Sequence, residues 1–300
     1  MHADPTPVYV ISPSSAVTNT EGLPVAARHL EQLGFDVTFD RAARSRYQRF
    51  AGTDSARADA FMRAARSKAP IVMTTRGGYG MTRLLDRLDF AALADAQKHW
   101  VGLSDFTAFH LAMLAKVGAG TWAGPALLED FSGDTVDETT AGAFCDAMHG
   151  RLHGLGFQCE GPSGVDERGV LWGGNLSLVC TLMGSEYFPD IRGGLLFLEE
   201  VGEHPYRVER LLTQLLLSGV IDQQNAVIFG YVNRYKTVPN DQGYDWSTVV
   251  RWLRSKTRTP VICGLPFGHE HPKLTLPHGA ILGLCTEGNE AFLEFPTHSH

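Results

Sequence analysis

The chain has 300 residues, 44% of them apolar and 20% charged, a balance typical of a soluble globular protein with one large domain or two ordinary ones. A formal net charge of -7 and the lack of any long Lys/Arg block argue against a nucleic-acid partner. No apolar run approaches the ~20 residues of a membrane span, and the opening MHADPTPVYVISPSS lacks the basic and apolar regions of a secretory signal.

In chain order, residues 8–12 predict a short buried strand stopped by Pro13-Ser14-Ser15. Residues 23–33 have helical periodicity and end at Gly34, a residue suited to closing a helix. A strand over 36–39, a helix over 54–67 and a buried strand over 70–74 follow. That strand runs into Arg76-Gly77-Gly78-Tyr79-Gly80, after which a helix is predicted over 81–88. A strand over 100–103 leads into a helix over 105–117. Strands alternating with helices predict βαβ units around a mostly parallel sheet, whose sites form at the carboxyl ends of the strands.

The rhythm changes after about residue 154. The Gly/Pro/Ser-rich stretch CEGPSGVD, beginning at Cys159, reads as a linker. Short strands are predicted over 169–171, 194–199, 226–230, 261–264, 280–284 and 291–295, and helices over 208–217 and 246–254. The expectation is an α/β chain: an N-terminal domain (1–156) with a mostly parallel sheet flanked by helices, a linker (157–168) and a smaller β-rich C-terminal domain (169–300). The ending His298-Ser299-His300 reads as a frayed tail. The five cysteines are odd in number, widely spaced and without a C-x-x-C, which suits reduced structural thiols in a cytoplasmic protein.

Several segments carry chemistry. Ser104, in Val101-Gly102-Leu103-Ser104-Asp105, stands where a strand meets a helix. It reads either as a helix N-cap or as a nucleophile on a sharp turn, where the Asp105 N–H would stabilise an oxyanion. Gly77 and Gly78 belong to a glycine-rich turn at the same edge of the sheet. This is a tight βα connection or the source of a second oxyanion donor, and neither a dinucleotide fingerprint nor a Walker pattern is present. Glu199 and Glu200 end an apolar strand, either as ordinary strand-end acids or as a group that orients a histidine. His269 and His271 alternate in a Pro/Gly-rich loop without a third metal ligand or an H-E-x-x-H, and His149 and His153 have the i,i+4 spacing of an exposed helix face.

In order and co-occurrence these segments resemble the LD-carboxypeptidase family of serine peptidases. The resemblance runs over Ser12-Pro13-Ser14, Ala51-Gly52-Thr53-Asp54 with Arg57, Arg76-Gly77-Gly78-Tyr79-Gly80, Gly102 with Ser104-Asp105, and Gly124-Pro125. It continues through Gly173-Gly174-Asn175-Leu176-Ser177, Leu196-Phe197-Leu198-Glu199-Glu200, Pro205-Tyr206-Arg207 and Pro266-Phe267-Gly268-His269. It implies a Ser104 nucleophile, His269 as general base and then acid, and Glu199 orienting His269. Glu200 stands where the family usually has Asp, and His271 lies outside the family's Gly-His pair. The implied oxyanion donors are the N–H of Asp105 and one from the Gly77-Gly78 turn.

The chain departs from the family at Leu103, in place of a frequent aromatic; at Thr75, in place of Ala; and at Trp122-Ala123, in place of a pair ending in His. The resemblance implies a metal-independent enzyme with no cofactor. Its substrate would be a murein tetrapeptide, L-Ala-D-Glu-meso-diaminopimelate-D-Ala or its L-Lys counterpart, losing D-Ala in peptidoglycan recycling. Arg76 and Tyr79 are candidates for substrate binding, Arg76 for the terminal carboxylate. A cytoplasmic homodimer is also implied. The alternatives are a microcin C-type immunity peptidase acting on aminoacyl-nucleotide antibiotics, and a non-catalytic two-lobed small-molecule binder.

Overall fold

The computed structural model describes residues 4–295; the tail at His298-Ser299-His300 lies outside them. The chain divides into two compact units. One holds the chain through Arg151 together with Ser185–Pro189 and Pro272–Pro277. The other holds Leu152–Gly184, Asp190–His271 and the chain from His278.

The first unit runs β1 (Thr6–Ile11), α1 (Gly22–Gln32), β2 (Phe35–Phe39), α2 (Asp54–Arg66), β3 (Ile71–Thr74), α3 (Phe90–Asp95), β4 (His99–Gly102), α4 (Thr107–Val117), β5 (Thr121–Ala123), α5 (Leu127–Phe131) and α6 (Glu138–Met148). Its strands lie in the order β2-β1-β3-β4-β5, and each of these pairings is parallel. This is a doubly wound order in which the winding reverses between β1 and β3, and sheets of this kind place their sites outside the carboxyl ends of the strands at that reversal. Val8, Val10, Ile71, Met73 and Val101 are fully buried, as expected of strands covered by helices on both faces. Phe61 of α2 packs against Phe109 of α4 with ring centroids 5.0 Å apart, and Phe106 and Trp100 complete the cluster at 4.8 and 5.4 Å from Phe109. Burying each such ring contributes about 2–3 kcal/mol, which anchors α4 and the turn that precedes it.

One expected element differs. Residues 81–88 form two short 3-10 turns, Met81–Arg83 and Leu85–Arg87, instead of one α-helix. Leu88 is extended, with ψ 134°, and the Asp89 side chain accepts the Ala92 N–H to start α3, so the run is cut before α-helical pitch is established.

The second unit runs β6 (Gly154–Gln158), β7 (Asp166–Asn175), α7 (Leu176–Leu182), β8 (Leu195–Val201), α8 (Pro205–Leu217), β9 (Ala226–Asn233), α9 (Trp246–Arg254), β10 (Val261–Cys263), β12 (Ile281–Glu287) and β13 (Glu290–Glu294), and between β10 and β12 the chain forms β11 (Leu276–His278). Its seven-stranded sheet has the order β10-β9-β8-β7-β12-β13-β6, parallel from β10 to β7 and antiparallel from there on. β11 belongs to the first unit's sheet, where it lies beside β5. The returning segment is held there by a buried pair, Lys273 Nζ to Asp130 Oδ1 at 2.6 Å, and by the Lys273 N–H donating to Thr140 Oγ1. The stretch after Cys159 joins β6 to β7, with the Cys159 N–H donating to Asn289 O and Glu160 bridging Cys263. Among the described residues no helix is long and apolar enough to cross a membrane.

Candidate active site

Ser104 follows β4 and opens a 3-10 turn, Ser104–Phe106, that leads into α4. Its φ is 64°, a left-handed conformation that costs a non-glycine residue about 1–2 kcal/mol. The turn and α4 have their caps at Leu103 and Phe106, and neither is closed by a side-chain bond, so Ser104 does not serve as an N-cap. The strain turns a half-buried hydroxyl out of a buried strand end. Gly102 permits this geometry, because a Cβ there would lie 2.5 Å from Phe106 Cδ1 and 2.9 Å from Thr74 Oγ1. Behind the turn, buried His110 donates from Nε2 to the Gly102 carbonyl at 3.0 Å. Its pKa is pushed down to about 4 by burial, so it is a neutral structural imidazole.

The glycine-rich turn lies directly against the serine. A Cβ on Gly77 would meet Ser104 Cβ at 2.7 Å and Oγ at 2.9 Å. Gly78 has φ 106°, and a Cβ there would lie 2.7 Å from Ser15 Cβ. Four contacts fix this turn. The Tyr79 N–H donates to Ser15 Oγ at 3.0 Å, the Met81 N–H to Asp105 Oδ2 at 2.7 Å, Arg57 Nη1 to the Gly80 carbonyl at 2.9 Å, and the Ser15 N–H to the Gly77 carbonyl at 3.4 Å. Asp105 is fully buried, and burial pushes its carboxyl above the usual range against the opposing Ser14 hydroxyl and Met81 N–H. The Gly77 N–H points at the exposed Glu129 carboxylate, 3.4 Å away. Arg76 is half-buried and has no partner among the described residues; Tyr79 is exposed, with Arg49 over its ring at 5.5 Å.

In the second unit, Glu199 of β8 is fully buried and its Oε2 accepts from His269 Nδ1 at 2.8 Å. A carboxylate accepts, so Nδ1 is the donor, and the neutral tautomer of the ring then has its lone pair on Nε2. Residues 195–200 of β8 are all buried, as expected of a strand covered on both faces, so Glu199 and Glu200 are told apart by their partners. The register of β8 against β9 shifts between Leu198 and Glu200, at the level of the two acids. Glu200 turns away from the histidine: Oε2 accepts from Ser177 N at 2.9 Å and Oγ at 2.6 Å, and Oε1 from Val201 N at 3.0 Å. Burial raises its carboxyl pKa. Asn175 Nδ2 bridges the two acids, at 3.2 Å from Glu199 Oε1 and 3.0 Å from Glu200 Oε1, while its Oδ1 caps α7 at Leu178 N. Gly268 has φ 130°, and a Cβ there would lie 3.1 Å from Glu199 Oε2, so glycine lets the His269 loop close over the acid.

The structure thus brings Gly77 and Asp105 to Ser104 in one unit, with Gly78 against Ser15, and Glu199 to His269 in the other. His271 is exposed, and His149 lies on the surface with Nδ1 bonded to the Cys145 carbonyl. Sequence reading passed over the contacts of Asn175, Ser177, Ser15 and Arg234. The first two lie in the Gly-Gly-Asn-Leu-Ser segment, but the acids they bond are more than twenty residues away in the chain.

A strained serine at a strand-to-helix turn and a buried carboxylate–imidazole pair, each on an open α/β unit, are parts that serine hydrolases use. The profile of the LD-carboxypeptidase N-terminal domain matches residues 8–124, and that of the LD-carboxypeptidase C-terminal domain matches residues 168–284. The chain belongs to the LD-carboxypeptidase family and is a serine peptidase. It is similar to the solved muramoyltetrapeptide carboxypeptidase of Oxalobacter formigenes, with 38% identity and a TM-score of 0.89, covering 97% of this chain and 100% of that one. It is 30% identical to the murein tetrapeptide carboxypeptidase of Pseudomonas aeruginosa, over 94% of this chain and 93% of the relative. It is 27% identical to the microcin C7 self-immunity protein of Escherichia coli, over 71% of this chain and 70% of that one.

Proposed function

We propose that this protein is an LD-carboxypeptidase that releases D-Ala from murein tetrapeptides, with Ser104, Glu199 and His269 as its triad. It cuts the amide between the L-centre of meso-diaminopimelate, or L-Lys, and the terminal D-Ala. The observation that carries the reading is the buried Glu199–His269 bond, which leaves Nε2 as the base. In the proposed reaction Nε2 takes the Ser104 proton as Oγ attacks the scissile carbonyl. The oxyanion is held by the Asp105 N–H and one from the Gly77-Gly78 turn, each such donor being typically worth about 3–4 kcal/mol. His269 then protonates the departing amine, and water hydrolyses the acyl-enzyme.

Arg76, lacking a partner among the described residues, is suited to take the D-Ala carboxylate bidentately, with Tyr79 beside it. No step needs a metal or cofactor. We also assign the enzyme to the cytoplasm as a homodimer, an assignment that analytical ultracentrifugation and cell fractionation test.

The test of the reaction is mass spectrometry of murein tetrapeptides incubated with wild type and Ser104→Ala. Wild type releases D-Ala, and the variant does not. D-Ala release by Ser104→Ala would remove Ser104 as nucleophile. Turnover of a processed microcin in preference to the tetrapeptide would move the substrate assignment to the immunity peptidases.

A further inference from the structure

At the carboxyl ends of β8 and β9 the second unit holds a cavity of about 690 Å³, in the position where parallel sheets receive ligands. It adjoins the catalytic pair through Arg234, whose Nη2 donates to the His269 carbonyl at 2.5 Å and whose Nε donates to Glu270 at 3.1 Å. Arg234 holds a left-handed φ of 56°. Two acids line the cavity and both are engaged. Asp241 accepts the Val238 N–H at 2.6 Å and pairs with His204 at 3.0 Å, and Glu203 pairs with Arg207 at 3.6 Å. The cations outnumber them. Lys236 is exposed and has no partner among the described residues. The 13-residue helix α8 starts at this wall, capped by His204 and with no acid in its first turn, so its positive end adds to the field.

The volume far exceeds what one departing amino acid fills, so the cavity suits the part of the peptide that stays on the acyl side. We propose that it is a recognition site for a carboxylate on the acyl portion of the substrate. Lys236 and Arg207 supply the charge, and Arg234 couples occupancy to the position of His269. The proposal rests on the carboxypeptidase reading above. In a murein tetrapeptide two groups offer this chemistry, the free carboxylate of D-Glu and the side-chain carboxylate of meso-diaminopimelate.

The test uses three tetrapeptides with the full chain: the free acid, the form amidated at D-Glu and the form amidated at the diaminopimelate side chain. One of the two amides should lose about tenfold in kcat/KM, mainly through KM, as befits one charge-assisted contact. Which amide loses identifies the group bound. Lys236→Met should lower kcat/KM for the free acid about tenfold and narrow its advantage over that amide, whereas Lys236→Arg should retain it. Calorimetric titration of Ser104→Ala with the same peptides should give the same ranking without turnover. Equal use of all three peptides by wild type, or an undiminished acid preference in Lys236→Met, overturns the proposal. Failure of wild type to cleave any of them overturns the carboxypeptidase reading, and the site proposal falls with it.

Discussion

Glu199→Gln is the substitution that probes the proposed triad most directly, because the neighbours dictate how the new amide must sit. Glu199 Oε2 accepts from His269 Nδ1, and Oε1 accepts from Asn175 Nδ2. A glutamine has one acceptor and one donor end. Asn175 presents only N–H groups on that side, since its own Oδ1 is engaged with Leu178 N. The Gln oxygen must therefore face Asn175, and its NH2 must face His269 Nδ1. That nitrogen then has to accept, which moves the ring proton to Nε2 and leaves the base without its lone pair. The packing is unchanged while the tautomer is wrong, a change that costs about 10⁴ in kcat where a triad acid is so replaced, or about 5 kcal/mol of barrier. Steady-state and single-turnover release of D-Ala from the tetrapeptide measures it, with circular dichroism to confirm the fold. KM should move little, because the carboxylate acts through the histidine and not on the substrate. Activity within tenfold of wild type would refute both the role of Glu199 and the tautomer argument.

Two further outcomes follow from the first unit. Gly77→Ala should cut kcat about a hundredfold, because its Cβ falls 2.7 Å from Ser104 Cβ and a shift of about 1 Å in the serine or the turn spoils attack geometry. Turnover within threefold of wild type would show that the turn yields without consequence. Asp105→Asn should change the pH dependence of stability. The folded carboxyl titrates above its ordinary 3.8, so the native state binds the extra proton and wild-type stability falls as pH rises from about 3.8 through the raised value, then levels. Asparagine keeps the acceptor for the Met81 N–H and removes that slope. Urea denaturation at pH 4, 6 and 8 should show the variant gaining on wild type as pH rises, and a pH-independent difference would contradict the burial argument.

How much of this was legible in the sequence depends on the range of the interaction that decides each feature. The bounds of α9 and the buried strands β1, β3 and β4 follow from local pattern, since helical period, apolar runs and caps act within a few residues. The three-residue strands β5 and β11 carry no pattern of their own and exist only because neighbours pair with them. The left-handed turn at Ser104 is equally silent, because serine is not a residue that signals positive φ. What betrays it is Gly102 two positions before, which makes room for Phe106, and Gly77 across the turn. The choice between Glu199 and Glu200 shows the limit most clearly. Residues 195–200 of β8 are all buried, as in any strand covered on both faces, so burial does not choose between the two acids. The register shift against β9 and the bridging Asn175 assign one acid to His269 and the other to Ser177, and each of these partners lies more than twenty residues away. The glycines at 230 and 268 are the local trace of that arrangement. Gly230 lets Phe267 approach β9, where the Tyr231 N–H donates to the Phe267 carbonyl at 2.8 Å, and Gly268 then folds the next residue, His269, over Glu199. Glycines placed where backbone must pass close to a buried acid therefore mark the Glu199–His269 pair more specifically than the acid and the histidine do alone.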